Sequence, residues 1–273
     1  MKKIIVPVDF SEHSEFALKV AASLAKKHGS EIFALHMLEL SDAIISSTEG
    51  IHQQQAVFFL KLAEKRFTEF LDKPYLKDIK VTPIVKHFKV FSEVNEVAKK
   101  HKANLVVIGS HGTDGLHEIF VGSNAEKVVR HSDIPVLVIK SEIEDFKIEH
   151  FVFACDFKEE NISAFKKAMD FAKKLSAELH LVYINTPGDA FISTRDIYKR
   201  ISTFLLKSGE GKQVEIYNDY SIEKGILNYS EKINADIIAI PTHGHRGLLH
   251  FFHGSIGEDI ANHSKLPVVT FKI

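Results

Sequence analysis

Ala103-Asn-Leu-Val-Val-Ile-Gly109-Ser-His-Gly112 and Ala235-Asp-Ile-Ile-Ala-Ile-Pro241-Thr-His-Gly244 decide the architecture. Each holds a short run of aliphatic and β-branched residues closed by a turn signal, the pattern of a strand buried on both faces. They are one segment written twice, 132 positions apart. Working outward, Gly122-Ser123 answers to Gly254-Ser255, and Asp133-Ile-Pro135-Val-Leu-Val answers to Lys265-Leu-Pro267-Val-Val-Thr. Upstream, Lys3-Ile-Ile-Val-Pro-Val-Asp9-Phe pairs with His150-Phe-Val-Phe-Ala-Cys-Asp156-Phe at an offset of 147. The chain is a duplication, and a repeat has to be found before elements are assigned. The second copy is shorter where residues 41–78 face 186–211.

Each copy reads as strand, helix, strand, helix, strand, helix, strand, loop, helix, strand. In the first, strands are expected near 2–8, 31–38, 79–85, 104–109 and 135–139, with helices near 12–28, 51–72, 92–101 and 123–131. Ser11 and Ser92 stand where N-caps of the first and third helices belong. In the second, strands are expected near 150–155, 178–184, 213–217, 235–240 and 267–271. Apolar strands alternating with amphipathic helices mean a parallel sheet covered on both faces, and right-handed crossovers make it doubly wound. The expected fold is α/β: two tandem, doubly wound, five-stranded parallel-sheet domains. Their boundaries fall at 1–141 and 146–273, around the acidic link Ser141-Glu-Ile-Glu-Asp145.

Composition narrows the function classes. Hydrophobic residues make up 45% and charged residues 26% of the 273 positions, values of a globular protein with a full core. A net charge of −1 supplies no global field for a polyanion or an anionic membrane, so neither nucleic acid nor membrane is an expected partner. The single Cys155 excludes an internal disulfide framework and fits a reducing, cytoplasmic setting. Only five apolar residues separate Lys3 from Asp9, too few for a signal-peptide core.

In an open parallel sheet, ligands bind beyond the carboxyl ends of the strands. That rule selects Asp9 and the loop Gly109-Ser-His-Gly112-Thr-Asp-Gly-Leu-His-Glu-Ile-Phe-Val-Gly122-Ser123. Gly109 and Gly112 would allow positive φ and close backbone approach to a phosphate. Gly122-Ser123 opens a helix, whose unpaired N–H groups and dipole favour an anion. Asp9 would accept from ribose hydroxyls or hold a metal. The plainer alternative is that the glycines only make turns and Asp9 only caps the first helix.

The pattern Gly-x2-Gly-x9-Gly-Ser after a strand that ends Val6-Pro-Val-Asp9 resembles the ATP-binding signature of the universal stress protein family, over nearly the whole chain. The resemblance implies an adenine nucleotide α-hydrolase-like fold and a dimerising adenine-nucleotide binder whose usual role is binding rather than turnover. It implies that Pro7, Val8 and Asp9 flank the adenosine, with Asp9 on the ribose. Met37 would meet adenine through its backbone, and Ile108 and Gly109 would border the nucleoside. Gly112, Gly122, Ser123 and Asn124 would hold the phosphates, with His111 among them as a phosphate contact or a loop-packing residue. The cofactor is ATP, with Mg as an optional companion. Two copies in one chain could satisfy the dimer interface internally as a pseudo-dimer, Val136–Ile139 against Val268–Phe271, while a homodimer stays open.

The second copy departs from the signature at Pro241, which removes an N–H and adds ring atoms where a nucleotide would pass. Its site is expected to be weakened or empty. His243, His245, His250 and His253 crowd the second loop. Imidazoles bind zinc, but without a Cys pair or a His-Glu-x-x-His arrangement no zinc is expected there. His36 and His180 look equivalent, in Leu35-His36-Met37 and Leu179-His180-Leu181, and both read as buried histidines bonded to backbone. Cys155 reads as a small packing residue.

Three functions fit. The first is a nucleotide-binding stress or signalling protein served mainly by the first copy. The second is a slow ATPase or phosphotransferase, and the third a structural pseudo-dimer with a small-ligand or zinc site in its second copy. Against turnover, residues 109–123 contain neither Lys nor Arg, and Lys127 and Arg130 are expected to face solvent.

Overall fold

The computed structural model describes residues 1–38, 50–87, 90–110, 123–188, 191–242 and 264–273. In the first repeat the order is β1 (Lys3–Pro7), α1 (Glu12–His28), β2 (Glu31–Leu38), α2 (Gly50–Leu71), β3 (Val81–His87), α3 (Val90–His101), β4 (Leu105–Gly109), α4 (Ser123–His131) and β5 (Val136–Ile139). The second repeat runs β6 (His150–Ala154), α5 (Ile162–Leu175), β7 (Glu178–Asn185), α6 (Thr194–Ser208), β8 (Val214–Asn218), α7 (Ile222–Lys232), β9 (Ile237–Thr242) and β10 (Val268–Lys272). The 22-residue α2 corresponds in the repeat to the 15-residue α6, which accounts for about half of the change in offset.

The first repeat's strands follow the order β3-β2-β1-β4-β5 and the second's β10-β9-β6-β7-β8. The registers resolved among β1–β4 are parallel, as are those among β6–β9 and between β9 and β10. Ile4, Ile5 and Val6 of β1 and Leu105, Val106 and Val107 of β4 are fully buried, as helices on both faces require. Met1–Ser110, Ser123–Ile134 and Ile139–Phe146 make one compact unit. The other contains Pro135–Val138 and the described part of Lys147–Ile273. The short stretch 135–138 falls there because β5 runs antiparallel to β10, with Val138 opposite Val268 and Val136 opposite Thr270.

The duplication extends to backbone conformation. Three pairs of residues at the repeat offsets take left-handed φ values: Phe10 and Phe157 (67° and 52°), Gly29 and Ser176 (62° and 61°), and Lys102 and Asn234 (53° and 51°). Gly29 and Ser176 are the C-caps of α1 and α5, where the αL turn lets the cap N–H bond back to a helix carbonyl. At the other end of α1, Ser11 Oγ accepts from Ser14 N. Ser92 is not a cap: α3 already begins at Val90, so Ser92 lies within its first turn.

Candidate functional site

The carboxyl end of β1 is built from the residues that follow it. Val8 is buried, and its N–H donates to the Leu35 carbonyl of β2 at 2.8 Å. The Val8 carbonyl accepts from His36 Nδ1 at 2.7 Å, which fixes the proton on Nδ1 because a carbonyl only accepts. His36 is bonded to backbone as expected, but it is half-buried rather than buried. Its ring lies 4.5 Å from that of Phe10, which also meets Phe67 of α2 at 5.1 Å and Phe70 at 5.6 Å. The left-handed turn at Phe10 sends this ring inward while leaving the preceding Asp9 exposed. Asp9 Oδ1 accepts from Ser11 N at 3.0 Å and from Ser11 Oγ at 2.5 Å. The carboxylate is therefore tied to the N-cap of α1 while remaining at the surface.

Pro7 is buried and Met37 half-buried, both at strand ends on this edge. Ile108 is buried at the end of β4. Gly109 follows it, and its role differs from the positive φ expected: its φ is not left-handed. A Cβ there would instead collide with the carbonyl group of His13 in α1. The missing side chain admits the first turn of α1 against β4. Ser123 and Asn124 open α4. His111, Gly112 and Gly122 lie outside the described residues.

Two groups at this edge escaped the sequence reading. Ser110 is fully buried, its N–H donates to the Ile139 carbonyl at 2.9 Å, and its Oγ has no partner among the described residues. Lys140, one residue past β5, is 8% exposed, and its Nζ likewise has no partner among them. Burial pushes its ammonium down to about 8, since a low-dielectric setting penalises the charged form. A hydroxyl and a cation, each without a partner among the described residues, stand just past the carboxyl ends of β4 and β5, and each is a donor of the kind an anionic group satisfies. A lysine outside the glycine-rich loop carries no motif, so only its burial reveals it. Arg130 does not face solvent freely: it is half-buried and pairs with Glu126 at 2.5 Å. Lys127 is exposed.

At the equivalent edge of the second unit, Asp156 is held by Lys158 and Asn161. Asp156 Oδ1 accepts from Lys158 N at 3.0 Å and Asn161 Nδ2 at 2.7 Å, and Lys158 Nζ lies 2.8 Å from Oδ2. Pro241 stands within β9 at the position of Gly109. There a 3₁₀ turn, Glu159–Asn161, precedes α5. Helix α5 thus starts three residues later than α1 does. Beside it is a cavity of about 360 Å³ lined by Phe157, Lys158, Lys199, Arg200, Phe204 and Lys207 among others. Cys155 is a free, half-buried thiol whose pKa burial pushes up, as befits an unreactive packing residue. His243, His245, His250 and His253 lie outside the described residues.

His180 corrects the sequence reading. Strand register places His150 opposite Glu178 as it places Lys3 opposite Glu31, so His180 corresponds to Phe33 and not to His36. Nor is it bonded to backbone in the way expected: its Nε2 lies 3.1 Å from His150 Nδ1.

The geometry defines a duplicated α/β protein with a candidate ligand edge at the carboxyl ends of β1 and β4 in its first repeat. A family model described as the universal stress protein family matches residues 1–140 and 147–272, and the chain belongs to that family. Universal stress protein MJ0531 of Methanocaldococcus jannaschii is 32% identical over 146 residues, 51% of this chain and 82% of that protein. A universal stress protein from Archaeoglobus fulgidus has a similar structure over 99% of this chain and 98% of its own, with a TM-score of 0.67 and 24% identity. A putative universal stress protein from Pseudomonas aeruginosa gives a TM-score of 0.66 at 17% identity over 100% of this chain and 93% of its own. Among the described residues no helix is long and apolar enough to cross a membrane.

Proposed function

We propose that the first repeat binds an adenine nucleotide, with ATP the expected form, and that the protein acts by presenting that bound state in a cytoplasmic stress or signalling response. The observation that carries this reading is that an exposed carboxylate, Asp9, and two buried donors, Ser110 and Lys140, follow the carboxyl ends of β1, β4 and β5. Asp9 accepts from the ribose hydroxyls, for which a carboxylate at a strand end is suited. Pro7, Val8, Met37, Ile108 and Gly109 border the adenosine. The amino end of α4, with Ser123 and Asn124, offers N–H groups to phosphate, joined by His111, Gly112 and Gly122 of the loop. Lys140 supplies the counter-charge, and a Mg ion would share the phosphates. Binding rather than turnover is favoured because Arg130 is engaged by Glu126 and Lys127 is exposed, so neither cation of α4 is free to stabilise a transferring phosphoryl group.

The test is to denature the purified full chain, identify released small molecules by mass spectrometry, and titrate the stripped protein with ATP by calorimetry. One adenine nucleotide per chain is expected, lost on replacing Gly122 by a bulky residue. Two per chain would contradict the assignment to the first repeat. No release together with no binding of added ATP would leave the structural pseudo-dimer as the better account.

A further inference from the structure

We propose that the second unit carries a divalent transition-metal site, of the kind zinc fills, made by His150, Glu178 and His180 at the amino edge of its sheet. His150 and Glu178 are the first residues of β6 and β7 and stand opposite each other in register, with His180 two residues further along β7. Side chains two apart on a strand share a face, so all three project from the face that carries Val152 and Val182 into the core beneath Ile226 and Tyr229 of α7. His150 Nδ1 and His180 Nε2 are 3.1 Å apart, and each is 3.9 Å from the same oxygen, Glu178 Oε2. A triangle with sides of 3.1, 3.9 and 3.9 Å has a centre about 2.1 Å from every corner. That is the ligand distance of zinc to imidazole nitrogen and carboxylate oxygen, about 2.0–2.2 Å. An ion there meets three protein donors without rearrangement of the strands.

The donor set selects the class of ion. Two imidazole nitrogens and one carboxylate suit zinc and its first-row neighbours, whereas calcium and magnesium require mostly oxygen. The imidazole side chains are 36% and 21% exposed and that of Glu178 is 70% exposed, so solvent can complete the coordination. Glu215 is paired with Lys232 at 2.7 Å and stands as an outer charge rather than a fourth ligand. Without metal the two rings can share only one proton between the facing nitrogens. Metal binding moves that proton to the far nitrogen of its ring, so no net proton is released from neutral histidines.

The first unit sharpens the point. At the equivalent positions Lys3 stands for His150 and Phe33 for His180, with the Lys3 ammonium 5.7 Å from the centre of the Phe33 ring. Glu31, the counterpart of Glu178, is held by Lys80 at 2.7 Å and Thr82 at 3.2 Å. The same sheet corner is thus closed by a cation in one repeat and brings three metal-ligating atoms within 3.9 Å of one another in the other. His150 also lies six residues before Asp156 along an extended strand, about 20 Å at 3.3 Å per residue, so the metal site is separate from any carboxyl-edge ligand.

The experiment uses the full chain, stripped with a chelator and titrated with zinc chloride, and in parallel with cobalt(II), whose visible absorption reports coordination geometry. One equivalent is expected, with a tetrahedral or five-coordinate cobalt spectrum. His150→Ala and His180→Ala should each weaken uptake at least about 100-fold, and Glu178→Gln about tenfold. The variant H243A/H245A/H250A/H253A should retain the site. Circular dichroism checks each fold; should His180→Ala unfold, the half-exposed His150→Ala carries the test. No stoichiometric uptake, uptake that survives His150→Ala, or uptake lost in the loop variant would overturn the proposal.

Discussion

The carbonyl of His13 occupies the space a Cβ on Gly109 would need, so the first turn of α1 and the end of β4 are in direct backbone contact. Gly109→Ala must push helix and strand apart. The expected cost is about 2–4 kcal/mol, read as a lower urea midpoint with an unchanged slope. An unchanged midpoint would mean that α1 yields freely.

Gly29 and Ser176 share one left-handed conformation but only one of them is glycine. A residue with a Cβ pays roughly 1 kcal/mol there. Ser176→Gly should therefore stabilise the protein by about 0.5–1 kcal/mol and Gly29→Ala should destabilise it by about as much. Paired thermal melts would show opposite shifts.

Lys140 makes stability depend on pH in a defined direction. Its folded pKa of about 8 lies below the ordinary 10.5, so between those values the unfolded chain binds more protons and stability rises with pH. The penalty is full below about 8 and is relieved as pH rises towards 10.5. Lys140→Met should add about 2–3 kcal/mol at pH 7 and flatten that alkaline rise in urea titrations. If Lys140 meets the phosphates, the same variant should also weaken ATP binding at least tenfold.

Asp9 and Asp156 differ in what already holds them. Asp9→Asn keeps an acceptor for Ser11 and should change stability little, while lowering ATP affinity at least tenfold. Asp156→Asn removes an exposed ion pair with Lys158, at a cost of about 1 kcal/mol or less, and should leave ATP affinity unchanged. Calorimetric titration of the two variants separates the repeats.

The strands were legible because each is a short, nearly unbroken apolar run, and the repeat confirmed each one against its partner. What the sequence hid is tertiary. Ser92 resembles a cap, yet the helix already begins at Val90, so the serine falls inside its first turn. His36 and His180 share neighbours in sequence, but register is set by the whole strand and shifts one against the other by three residues. Gly109 suggested torsional freedom and supplies close approach instead. Lys140 and the His150–His180 pair carry no motif, because burial and cross-strand proximity are properties of the sheet. In the candidate nucleotide site, the strand-end residues could be named beforehand, while the buried donors beside them could not.

Phe10 bears on how sharply a ligand edge can be defined by a surface residue. A non-glycine residue in the left-handed region is held there only when its surroundings over-determine it, and here the constraint is a ring lodged among His36, Phe67 and Phe70. The carboxylate next to it inherits that constraint. The aim of Asp9 is thus fixed from beneath by an aromatic anchor as well as by its bonds from Ser11, and core substitutions that never touch a ligand would blur it.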